Sequence, residues 1–154
     1  MFNIETVTQP SNYKQAALLF SAYANGLNID LSFQHFESEL ETLNLMYALP
    51  FGMIFLCKHQ DTYVGCVAVR KIDAQIAELK RMYVLPAFQR MGIGQLLLDH
   101  AVGFAKNAGY LLMRLDTLKT MNPAIQLYEK NGFYTIPAYY HNPEATAAYF
   151  EKKL

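Results

Sequence analysis

Val84-Leu85-Pro86-Ala87-Phe88-Gln89-Arg90-Met91-Gly92-Ile93-Gly94 carries the sharpest local signal in the chain. Before it, Ile76–Val84 reads as a strand ended by Pro86. After it, Gly92 to about Asn107 puts Ile93, Leu96, Leu97, Ala101, Phe104 and Ala105 on one helical face, closed by Asn107 and Gly109. The stretch therefore passes from a strand through a short loop into a helix that opens on glycines. The first N–H groups of a helix have no internal partner, and the helix dipole adds roughly half a positive charge there. Glycines let the main chain approach an anion closely, and Arg90 adds a cation, so the stretch predicts a diphosphate cradle. A P-loop is excluded because no Lys-Ser/Thr pair follows these glycines. A dinucleotide fingerprint, and with it a Rossmann-type enzyme, is disfavoured because Leu97 occupies the third glycine position.

Working outward, Phe2–Val7 alternates as a strand closed by Gln9-Pro10. Ser11 is placed to cap a helix over Tyr13–Ala24 that stops at Gly26, and Ser32 a second helix over Phe33–Leu43. After Pro50 the period becomes two: Met53–His59 and Tyr63–Lys71 form a hairpin around His59-Gln60-Asp61-Thr62. Leu111–Thr117 is the next strand. Asn122-Pro123 opens a helix with Asn at the cap and Pro at its first position, Asn131-Gly132 ends it, and Phe133–Pro137 and Ala147–Lys152 are two last short strands. The order βααβββαβαββ describes one α/β domain, a mixed and mostly antiparallel sheet flanked by helices, spanning residues 1–154.

Composition bounds the function. A chain of 154 residues with 53% hydrophobic and 17% charged content holds a core without staples and is not disordered. Lys+Arg and Asp+Glu both number 13, so the basic excess of a generic nucleic-acid binder is missing. The longest uncharged apolar stretch, Tyr47–Cys57, has 11 residues and contains Pro50 and Gly52. That is well short of the ~20 needed to span a bilayer, so no membrane partner is expected. The amino terminus carries neither a basic region nor an apolar run, which predicts no secretory signal and a cytoplasmic location. Cys57 and Cys66 read as buried free thiols, and neither sits at a helix start where a nucleophile would be activated. His35, His59 and His100 are scattered, so no zinc site is expected. Residues 1–50 carry a net charge of −4 and residues 58–90 carry +3. The acidic opening suits a cationic acceptor and the basic centre an anionic ligand, although solvated faces give the same pattern.

Gln89-Arg90-Met91-Gly92-Ile93-Gly94 resembles the Q/R-x-x-G-x-G/A element of the GNAT superfamily of N-acetyltransferases. Asn122-Pro123-Ala124-Ile125-Gln126-Leu127-Tyr128-Glu129-Lys130-Asn131-Gly132-Phe133 is similar to that superfamily's N-x-x-A-x-x-L-Y-E-K-x-G-F segment, and residues 50–135 agree in spacing and element order. The resemblance implies acetyl-CoA as co-substrate and no metal, with the diphosphate on Gln89, Arg90, Met91, Gly92, Ile93 and Gly94. It implies pantetheine adding like an extra strand along Met82, Tyr83 and Val84, which needs that strand to diverge from Leu111–Thr117; a bulge is a usual device. Asn122 is implied as a further cofactor contact, beside its reading as a helix cap.

Transfer to a primary amine needs removal of a proton before attack and a donor for the departing thiolate. The base is expected at Glu78, directly or through water: in an unbroken strand it shares parity with Lys80, Met82 and Val84, and Ala77-Glu78 matches the strand opening of the histone-acetyltransferase branch. A salt bridge to Lys80 or Arg81 is the competing reading. The acid is expected at Tyr128, which also touches the cofactor; the competing reading is a core tyrosine. Tyr139, Tyr140 and His141, with Leu31 and Phe33 by analogy, are candidates for the acceptor pocket, an aromatic surface cluster being equally open. The acceptor amine is not specified by the sequence. An edge strand of such a sheet can pair between chains, which leaves a homodimer open. A GNAT-like module that binds acyl-CoA and regulates without turnover is the alternative function.

Overall fold

The computed structural model describes residues 1–27 and 30–154, without the side chain of Phe33. Seven strands form one sheet in the order β1-β2-β3-β4-β5-β7-β6, from β1 (Phe2–Thr6), β2 (Met53–His59), β3 (Thr62–Lys71), β4 (Ile76–Val84), β5 (Leu112–Leu118), β6 (Tyr134–Ile136) and β7 (Ala147–Lys153). All neighbours are antiparallel except β4 and β5. That parallel pair needs a crossover, which α4 (Ile93–Asn107) supplies.

Both faces of the sheet are covered, as the unbroken apolar runs of β2 and β3 require. Met53, Phe55, Val67, Val69, Ala77 and Leu79 pack under Ile93, Leu97, Leu98, Ala101 and Ala105 of α4. Ile54, Leu56, Cys66 and Ala68 pack on the other face under Ala16, Leu19 and Phe20 of α1 (Pro10–Leu27). Burying each Leu, Ile, Val, Met or Phe among them contributes roughly 1.5–3 kcal/mol.

The amino-terminal helices differ from expectation. Helix α1 begins at Pro10, whose missing N–H costs nothing in a first turn, and runs through Gly26 to Leu27. A single helical glycine costs only about 1 kcal/mol and does not stop a helix packed along its length. The second helix is broken into pieces. Ser32 spends its N–H and hydroxyl on Asp30 at 2.8 and 2.9 Å instead of capping, and His35 turns left-handed at φ 57° after the short 3-10 turn Ser32–Gln34. Beyond that turn the chain forms two short helices, α2 (Phe36–Glu41) and α3 (Leu43–Met46). Helix α5 (Asn122–Lys130) has Asn122 as its first residue rather than its cap, and no side chain caps it.

Two features of β4 shape everything nearby. Its register with β3 runs from Ala68↔Lys80 to Cys66↔Tyr83, so β4 holds one extra residue, a bulge at Arg81 with φ 60°. Its register with β5 ends after Ile76↔Leu112, Ala77↔Met113 and Glu78↔Arg114. Beyond Glu78 the two strands splay, and the β5-facing edge of β4 is left unpaired.

Candidate active site

The loop before α4 has two left-handed residues, Arg90 at φ 65° and Gly92 at φ 82°. A Cβ on Gly92 would meet nothing within 4 Å, so its glycine answers to conformation rather than to space. Gly94 differs: a Cβ there would approach Leu127 of α5 to 3.3 Å. The backbone N–H groups of Ile93, Gly94 and Gln95 lie in the first turn of a 15-residue helix, beyond the reach of its ladder. Arg90 and Met91 are exposed beside them, and Gln89 donates to the Val84 carbonyl at 3.1 Å. Unpaired amides at a helix start next to a cation suit an anion. Asn122 is exposed at the start of α5, its side chain unspent on capping.

The splay between β4 and β5 holds two adjoining cavities. The inner is lined by Met82, Leu115, Met121, Ala124 and Tyr128, the outer by Leu27, Leu31, Gln34, Lys80, Leu118, Asn142 and Glu144. Tyr23, Leu79, Arg81, Asp116 and Thr117 line both. Tyr128 packs against Phe133 and Phe150 with ring centroids 5.6 and 6.4 Å away, so it is both a core aromatic and a wall of the inner cavity. Burial pushes its hydroxyl pKa well up, which keeps it a proton donor.

The bulge overturns the parity expected for β4. Leu79 and Met82 pack on the α4 face, while Lys80 and Arg81 both turn to the face of α1 and α2. Glu78 therefore does not share a face with Met82 and Val84. Its surroundings are polar rather than apolar: Arg70 Nε donates to Oε1 at 2.6 Å, and Tyr139 Oη donates to Oε2 at 2.6 Å. Its close ion pair is with Arg70; Lys80, one of the two partners expected for a salt bridge, pairs with it at 4.0 Å, and Arg81 pairs with Glu39 instead. Glu78 is 3% exposed and lines neither cavity.

Arg81 is spent on Glu39, with Nε and Nη2 donating to the two carboxylate oxygens at 2.9 and 2.8 Å. Burial works to raise the Glu39 pKa, but the Arg81 hydrogen bonds and charge outweigh it and hold the carboxyl below its usual range. One carboxylate of the acidic opening segment is thus neutralised inside the protein. It offers nothing to a cationic acceptor.

Of the acceptor-pocket candidates, Tyr139 and Tyr140 are brought to the site, where they form an aromatic cluster with Tyr149. Tyr140 Oη donates to Asp116 Oδ2 at 2.6 Å and accepts from Gln34 at 2.9 Å and Asn142 at 3.1 Å. Leu31 lines the outer cavity, His141 is exposed, and the side chain of Phe33 lies outside the described residues. Sequence reasoning missed Asp116. Burial raises its pKa from the ordinary carboxylate value; the Tyr140 hydrogen bond opposes this and the Glu78 charge adds to it. The only signal was an acid at the alternate position of a strand whose Met113 and Leu115 are core residues. Both thiols are buried, and burial raises their pKa values. Among the described residues no group of three or more His, Cys, Asp and Glu is arranged around a common point, and no helix is long and apolar enough to cross a membrane.

Residues 21–133 match the acetyltransferase (GNAT) family. The chain belongs to this family and is an N-acetyltransferase. An uncharacterized N-acetyltransferase of Schizosaccharomyces pombe is 32% identical over 154 residues, covering 99% of this chain and 94% of that one. A GNAT family acetyltransferase from Staphylococcus aureus has the same fold, with TM-score 0.83 at 20% identity and 99% of each chain covered. A GNAT family acetyltransferase from Elizabethkingia anophelis, solved with acetyl-CoA bound, superposes with TM-score 0.69 at 22% identity over 99% of this chain and 98% of that one.

Proposed function

We propose that the protein moves an acetyl group from acetyl-CoA to a primary amine by direct attack, with both reactants held together in the β4–β5 opening. The observation that carries this is the end of the β4–β5 ladder at Glu78↔Arg114, which leaves the β5-facing edge of Met82, Tyr83 and Val84 unpaired, with Met82 and Tyr128 lining the inner cavity and Asp116 lining both. Each part suits one part of acetyl-CoA: amides and Arg90 for the diphosphate, a bare strand edge for the pantetheine amides, and the inner cavity for the thioester. Asn122 stands free to contact the same ligand. Holding two reactants in one opening supplies much of the rate by proximity.

The reaction joins amine nitrogen to acetyl carbon as the carbon–sulfur bond breaks, giving amide and thiol. Tyr128 donates toward the departing sulfur. The proton that must leave the ammonium before attack goes to a carboxylate, Asp116 or Glu78. Asp116 is the better placed, because it lines both cavities and its raised pKa narrows the gap to an ammonium. Glu78, held by Arg70 and Tyr139, positions the aromatic segment over the site, and its direct or water-borne action as base is the alternative.

The test is CoA thiol release with a panel of amines, alongside acetyl-CoA binding. Asp116→Asn is expected to lower kcat by about 10²-fold or more with acetyl-CoA affinity kept. A larger loss in Glu78→Gln than in Asp116→Asn would return the base to Glu78. Acetyl-CoA binding without turnover on any amine would favour the regulatory module.

A further inference from the structure

Lys80 is a largely buried cation that, among the described residues, has no hydrogen-bonded partner. Its side chain is 10% exposed, and its Nζ stands 4.0 Å from a carboxylate oxygen of Glu39 and 4.0 Å from one of Glu78, beyond hydrogen-bonding distance. Both carboxylates already accept closer bonds, Glu39 from Arg81 and Glu78 from Arg70 and Tyr139. Burial lowers the Lys80 pKa, the Arg81 charge adding to it and the two glutamates opposing it. An ammonium short of acceptors lines the outer cavity, and only the outer one.

Asp116 stands across from it. The last parallel pair is Glu78↔Arg114; two residues further along each strand come Lys80 and Asp116, on the same face and both lining the outer cavity. Asp116 Oδ2 accepts from Tyr140, which leaves Oδ1 for a ligand. Because Asp116 lines both cavities and Lys80 only the outer, the anion is nearer Tyr128 and the cation further out.

We infer that the acceptor is an amino carboxylate: its ammonium pairs with Asp116 at the inner end, and its carboxylate completes the hydrogen bonding of Lys80 in the outer cavity. This rests on the acetyl-transfer reading above. Leu27, Leu31 and Leu118 give the outer cavity an apolar wall.

The experiment measures CoA release by the full chain with matched acceptors built on leucine, methionine and phenylalanine: the free amino acid, its amide, and the decarboxylated amine. The amino acids are expected to exceed their amides and amines about tenfold or more in kcat/KM, mostly through KM. Lys80→Met should remove that preference, and Lys80→Arg should keep part of it. Amides or amines that equal or surpass the acids would overturn the carboxylate subsite and leave acetyl transfer standing. Silence from every acceptor with acetyl-CoA bound would overturn both. If Lys80→Met does not fold, the wild-type comparison decides alone.

Discussion

Tyr128 is 5% exposed and enclosed by Phe133 and Phe150, yet it reaches the inner cavity. No hydrogen bond contributes to its raised pKa, which burial dominates. Among the described residues this phenol donates to no side chain or carbonyl. Tyr128→Phe keeps the ring packing, so the thermal midpoint should hardly move while kcat falls by roughly 10²-fold and acetyl-CoA affinity persists; an unchanged kcat would reduce Tyr128 to a packing residue. The tyrosine was legible because its flanking segment, Asn122 to Phe133, fixed its neighbours. Asp116 was not. On a strand an acid opposite core residues reads as solvent-facing, and distant segments, the one carrying Tyr139 and Tyr140 and the one carrying Tyr23 and Gln34, convert that face into an interior. Nothing local in residues 112–118 announces a cover that arrives from elsewhere in the chain.

At the scale of elements, the site is made by two departures from regularity, the left-handed loop before α4 and the bulge in β4. The loop is encoded in its own residues. Gly92 at φ 82° favours Gly, with Asn the next best tolerated. Gly92→Asn should therefore cost little in stability and modest affinity, whereas Gly92→Asp, of similar shape, sets a carboxylate against the anion cradle. Equilibrium binding of acetyl-CoA should weaken at least tenfold more in the aspartate variant; equal affinities would remove the diphosphate from this loop. The bulge was foreseen as a need but had no address, because the residue in left-handed conformation is Arg81 rather than glycine. Its position is set by tertiary bonds: the Arg81 guanidinium reaches Glu39 on α2, and the Cys66 thiol donates to the Arg81 carbonyl at 3.2 Å. The same long-range bonding broke the expected second helix, where Gln34 turns to Arg81 and Tyr140 instead of continuing a helical face.

Across the whole molecule, element order and the glycine-bearing helix start were readable because period and turn residues are local. The sign of the acceptor's charge was not, since the acidic opening segment is partly consumed by an internal pair. That pair has a pH signature. Glu39 has a folded-state pKa below its unfolded one, so its contribution is present above the unfolded value and lost as pH falls through the folded one. Unfolding midpoints of the protein should thus decline as pH drops below about 4. Arg81→Met leaves Glu39 buried without its partner and should cost about 3–5 kcal/mol near neutrality. Burial then prevails and the sign reverses, so the variant should gain stability on acidification; a parallel decline in both would mean the pair is not the source.

Three residue pairs, Ile76↔Leu112, Ala77↔Met113 and Glu78↔Arg114, are all that bind the first four strands to the last three within the sheet. The molecule is in this respect a book with a short spine. A long guest laid between the covers stitches them along the part of their length where the host has no stitches of its own, so occupancy and cohesion rise together.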